Sequence, residues 1–277
     1  GHLNLINAGA LFSVIGGGAE NLIDLNAESA VVAGGRRNTI QADAKRSTIG
    51  GGATNTIQTF TDFATIAGGA NNSIFPDTDW ATIGGGRTNV IMNGSAEATI
   101  SGGGYHFIAN GCEAATISGG FSNRLTQAET TIGGGKMNTI HSGQGTIGGG
   151  LQNKIETTAN FSTIGGGTVN LVNPDSPGAT IGGGVSNKVD QASVYGTVTG
   201  GYSNVVGRPS GAISGGERNF VAGLGATIAG GIANQVQLDA RASVISGGAA
   251  NQVQPYTTNA VIAGGLSNIV HSAEIGR

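Results

Sequence analysis

The chain has 277 residues, of which 53 are Gly and only 10% are charged. That much Gly without a three-residue period excludes collagen, and the regular apolar fraction excludes a disordered chain. A net charge of -3, with the charges scattered, leaves no polycation for nucleic acid and no basic patch for a membrane surface. No apolar run of about 18 residues is present to span a bilayer. Cys112 is the single cysteine, so no intrachain disulfide forms.

Residues 1–2 read as a vector remnant. Residues 3–277 read as a single repeat domain, a fragment of a longer protein whose export signal or anchor lies outside it. Asn4 and Ile6 stand at the spacing of half a motif. Full copies of the motif then follow. With position 0 set at the aliphatic residue of "TIGGG", they fall at Ile15, Val32, Ile49, Ile66, Ile83, Ile100, Ile117, Ile132, Ile147, Ile164, Ile181, Val198, Ile213, Ile228, Ile245 and Ile262. Eleven of the steps are 17 residues long and four are 15.

Each copy has Gly at +2 and +3 and an aliphatic residue at +8. Position -1 is mostly Thr, and position -2 is always small. Position +6 is Asn in every copy but one, among them Asn21, Asn38, Asn55, Asn72, Asn89, Asn123, Asn138, Asn153, Asn170 and Asn187; His106 is the exception. The segments after +8 vary freely.

A period of 15 to 17 residues is too short for paired helices or a propeller blade. It fits one coil of a parallel β-solenoid, or β-roll, of about 16 coils with two short strands and two turns each. The two periods differ by one pleat, so the shorter coil keeps every side chain on its face. The paired glycines are expected to turn the corner, which makes Gly183→Val costly by several kcal/mol. The Asn column is expected to clamp that corner as a ladder along the axis, so that Asn153→Ala costs on the order of 1 kcal/mol. Two large aliphatics per coil make a thin interior. Packing against further copies of the chain is expected to complete it.

The stretches "ATIGGGRTNVI" (81–91), "TTIGGGKMNTI" (130–140) and "STIGGGTVNLV" (162–172) resemble the YadA-like head repeats of trimeric autotransporter adhesins. They also resemble related trimeric glycine-rich fibres of cell-surface and phage type. The likeness runs from Asn4 to about Val270. The period here is longer than the family's common unit, and the Gly-Gly and Asn columns are stricter. The resemblance implies a left-handed roll, a homotrimer, and an adhesive or structural head at the cell surface, outer-membrane-anchored or fibre-borne through other segments. It implies no catalytic residues and no cofactor.

The segments "QTFTDFA" (58–64) and "FPDTDWA" (75–81) place Asp62 one coil from Asp79, and Phe63 one coil from Trp80. Acids beside an aromatic stripe suit contact with a glycan or a cation. Tyr105 and His106 form a second candidate contact beside Phe107. Metal-protease, zinc-ribbon, Ser-hydrolase, Walker and dinucleotide signatures are absent, so no enzyme, metal or nucleotide is expected. The expected function is therefore non-catalytic adhesion to host, prey or matrix ligands. Two alternatives stand beside it. One is ice binding through the rank Thr48, Thr65, Thr82, Thr99 and Thr116; the other is a tailspike-type protein that binds or cleaves glycans.

Overall fold

The computed structural model describes residues 1–272. The chain is an all-β parallel β-solenoid of about 16 turns, with no helix among the described residues. It divides into two units, Gly1–Asn138 and Thr139–Arg277.

In the first unit every coil carries two-residue strands at -1/0 and at +7/+8. Thr48–Ile49 pairs in parallel with Thr65–Ile66, and Thr39–Ile40 with Thr56–Ile57. A third contact, not expected from the sequence, lies between them. Position +4 makes a parallel bridge from coil to coil, as in Arg36 with Ala53 and Ala53 with Ala70. The half motif joins the same scheme, since Leu5–Ile6 pairs with Leu22–Ile23 and His2 bridges Ala19. A 15-residue step keeps the register, with Thr116 opposite Thr131 and Ile117 opposite Ile132.

The second unit repeats the plan. Thr163–Ile164 pairs with Thr180–Ile181, and Lys154–Ile155 with Leu171–Val172. Its 15-residue steps put Thr197 opposite Ala212 and Ala212 opposite Thr227.

The corner glycine is the one at +3. Gly184 has φ +86°, and a Cβ there would lie 2.2 Å from the Gly201 carbonyl oxygen. Gly183, at +2, would place a Cβ in open space. The strain assigned to Gly183 from the sequence therefore belongs one residue further on.

Most of the other bends are made by residues with a side chain. Arg37, Asp43 and Arg46 have φ of 55°, 55° and 56°, and the same positions (+5, +11 and +14) are left-handed in coil after coil. Left-handed backbone costs a non-Gly residue roughly 1 kcal/mol or more. Each such bend turns an amide toward the preceding coil. Arg37 N–H donates to Ala19 C=O at 3.0 Å and Phe63 N–H to Lys45 C=O at 3.0 Å, whereas the strand amide of Thr39 donates forward to Asn55 C=O at 2.9 Å. A hydrogen bond contributes about 1 kcal/mol, which offsets the strain. After +8, a 15-residue coil has one left-handed residue, such as Glu129 or Ser210, where a 17-residue coil has two. Losing two residues thus removes one bend and leaves the strands alone.

The interior closes within one chain. Ile49, Ile57, Ile66 and Ile74 are fully buried, and so are the small residues at -2, such as Ala64 and Ala81. A further buried column lies at +12, where Ala27, Ala44, Thr61, Thr78, Ser95 and Cys112 follow one another. The hydroxyls of these six are satisfied by the next coil: Thr61 Oγ1 donates to Phe75 C=O at 3.0 Å and Ser95 Oγ to Ala109 C=O at 2.7 Å. These small columns stand beside the two aliphatics per coil in the interior of the single chain.

Candidate functional site

The asparagine column is wholly internal: Asn38, Asn55, Asn72, Asn89, Asn123, Asn138, Asn153, Asn170 and Asn187 have no exposure, and Asn21 has 1%. Its bonds run mainly to backbone. Asn170 Nδ2 donates to Gly166 C=O in its own coil at 2.9 Å and to Gly184 C=O in the next at 3.0 Å. Its Oδ1 accepts the Asn187 amide at 2.9 Å. Direct side-chain links, such as Asn55 Nδ2 to Asn38 Oδ1 at 3.1 Å, occur at some steps only. Each carboxamide therefore pins the +2 carbonyl of its own coil to the +3 carbonyl and the +6 amide of the next. That arrangement requires both an acceptor and a two-proton donor, which Asn supplies.

His106 occupies the same slot and is 1% exposed. Its Nδ1 accepts the Asn123 amide at 3.2 Å, as an Asn oxygen does. Its own amide donates to Asn89 Oδ1 at 3.1 Å. Burial pulls its pKa below the ordinary histidine value, so the ring is held neutral. Nε2 is buried without a hydrogen bond. The imidazole is internal and does not face an external ligand. Tyr105, one residue earlier, is left-handed (φ 59°) and exposed.

On the surface of the first unit, Phe63 and Trp80 stack with ring centroids 5.5 Å apart and planes 5° from parallel. They lie one coil apart at +14, and Arg46 closes one end of the stack, 5.0 Å from the Phe63 centroid. Trp80 is 55% exposed. Asp62 and Asp79 stand beside the stack, each bonded to an amide of the preceding coil. Asp62 Oδ1 accepts from Lys45 N–H at 2.8 Å, and Asp79 Oδ1 from Asp62 N–H at 2.7 Å. Among the described residues no group of three or more His, Cys, Asp or Glu is placed to hold a metal.

A second cluster surrounds Tyr105. Its ring meets Phe121 at 5.2 Å, tilted by 56°. Arg87 lies over Tyr105 at 5.1 Å, Lys136 over Phe121 at 5.8 Å and Arg124 over Phe107 at 4.5 Å. The sequence reading named Tyr105 and Phe107 and missed Phe121 and the cations, which are scattered along the chain. The signal was an Arg or Lys 15 to 18 residues from a ring, which is one coil away.

The threonines Thr48, Thr65, Thr82, Thr99, Thr116 and Thr131 form one in-register ladder on the outside of the first strand. In the second unit the +4 column presents exposed Leu151, Val185, Tyr202 and Ile232. No protein-family model matches the chain, and no curated protein matches it in sequence.

Proposed function

We propose that this chain is a non-catalytic adhesive or structural head of an extracellular fibre, of the kind found in YadA-like trimeric adhesins. In this reading it assembles as a homotrimer and holds glycans or surface receptors against its outer face. The observation that carries the reading is the division of labour between columns. In the 17-residue coils, positions -2, 0, +6, +8 and +12 are buried and held to a type or a size, while +4, +5, +13 and +14 lie on the outside and change from coil to coil. Such a frame presents varied side chains at a fixed spacing. The exposed Phe63–Trp80 stack offers an aromatic surface to a pyranose ring, with Asp79 beside it. The exposed Leu151, Val185, Tyr202 and Ile232 in the +4 column of the second unit support self-association.

The test is binding of the purified chain to an array of neutral and charged glycans, alongside light scattering. Wild type is expected to bind a defined glycan and to run as a trimer. Trp80→Ala is expected to weaken the glycan and leave the oligomer, whereas Ile232→Asp is expected to do the reverse. A monomer that retains no glycan would sink the proposal. The threonine ladder favours a second reading, ice binding; thermal hysteresis lost on Thr82→Arg would select it.

A further inference from the structure

We infer that the corner around Tyr105 is a binding site for an anionic polysaccharide, a chain of uronate or sulfated sugars. The inference rests on the adhesive reading for taking the ligand to be a glycan, and on its own geometry for the charge. Arg87, Gly104, Phe121 and Lys136 occupy the +4 column of four successive coils, bridged in register. Successive coils lie about 4.8 Å apart, so Arg87 and Lys136 are separated along the axis by about 14 Å. Arg124, in the third of these coils, adds a cation on the other side of the corner. All three cations are exposed. Among the described residues of these coils, 87–92, 104–109, 121–126 and 136–138 contain no Asp or Glu, so the cations have no local acid to neutralise them. The whole chain is acidic and this corner is the reverse.

The rings hold the cations in place. Each charged group lies over an aromatic face, which restricts a long side chain that otherwise moves freely. Gly104 is the one Gly of the +4 column. The Phe121 ring passes beside it, 3.8 Å from where a Cβ would lie, and leans against Tyr105. The result is a preformed row of positive charge along the axis. A pyranose in an extended chain advances by roughly one coil spacing, ~5 Å, so successive sugars can follow the coils.

Single-stranded nucleic acid fits less well. It needs open ring faces for its bases. Here Tyr105 is taken by Arg87 and Phe121, Phe121 by Lys136 and Tyr105, and Phe107 is covered by Arg124.

The experiment measures binding of heparin, polygalacturonate, neutral dextran and an oligothymidylate by the wild type and by the combined variant Arg87→Gln/Arg124→Gln/Lys136→Gln. Circular dichroism and a melting curve check that the variant folds. At least one of the two anionic glycans is expected to bind the wild type, with a salt slope of roughly -2 for three cations. The variant is expected to lose at least tenfold in affinity and most of that slope. Whatever neutral glycan the Phe63–Trp80 stack holds should bind the variant unchanged, which separates failure here from failure of the adhesive reading. The inference is overturned if neither anionic glycan binds, if the folded variant binds them as well as wild type does, or if the three substitutions weaken dextran or oligothymidylate as much as the anionic glycans.

Discussion

Alanine at Gly184 should damage the solenoid, and alanine at its neighbour Gly183 should not. At Gly184 the backbone has φ +86°, which costs an L-residue about 1–3 kcal/mol. The new methyl would also lie 2.2 Å from the Gly201 oxygen and 2.6 Å from Asn187 Nδ2. That oxygen accepts two bonds, from the Val185 amide and from Asn187 Nδ2, each at 2.9 Å. Pushing it aside loses on the order of 1 kcal/mol for each. The total is about 3–5 kcal/mol. At Gly183 a Cβ meets nothing within 4 Å, and the expected change is below about 1 kcal/mol. Coils interact with their nearest neighbours, so the damage is local and a global melt alone would dilute it. Amide hydrogen exchange at Val185 reads it directly. Protection there should fall by about a hundredfold or more in Gly184→Ala, since 1.4 kcal/mol is a factor of ten, and stay near wild type in Gly183→Ala. Equal protection in the two variants would refute the assignment of the corner.

Asn153→Ala should cost about 2–4 kcal/mol in denaturant unfolding, above the sequence-based expectation. The side chain donates to Gly149 and Gly167 carbonyls and accepts the Asn170 amide, and all three partners are left behind. His106→Asn should raise stability, because the carboxamide restores the second donor that the imidazole lacks; an unchanged midpoint would argue otherwise. Burial lowers the folded pKa of His106, so the unfolded chain binds the extra proton first. Its contribution is therefore full above about pH 6.5 and is lost as pH falls from there through the lowered folded value. A pH series of melts on wild type and His106→Asn should show this slope in wild type alone. Cys112 is fully buried and its thiol is pushed up to about 11 by desolvation. It should resist a thiol reagent at pH 8 until denaturant is added, and rapid labelling of the native protein would contradict its place in the +12 column.

Much of the fold was legible because the repeat is strict where the interior is strict. Ile49, Asn55 and Ile57 recur as types, and parity alone puts the two aliphatics on one side. The +12 column was passed over, although Ala27, Thr61, Ser95 and Cys112 are alike in size. Their shared property is volume, and a search for identical letters does not detect it. The left-handed bends were hidden for a different reason. Arg46, Phe63, Trp80 and Tyr105 carry no preference for positive φ, which is imposed on them by amides bonded to the coil before. The aromatic stack at Phe63 and Trp80 followed from counting coils. The cations did not, because Arg87, Arg124 and Lys136 occupy different columns or coils and meet their rings only after the chain has wound.

The bends that turn amides backward have an electrostatic result. In an α-helix the peptide dipoles share one direction, and the ends accumulate opposite partial charge. Here the amides at Arg37 and Phe63 oppose those at Thr39 and Thr48, so the fields of successive peptides largely cancel along each unit, as they do in an ordinary sheet. Adding a coil therefore adds little polarisation to either end. Nothing electrostatic penalises a longer stack, and the number of repeats can change without disturbing those already in place.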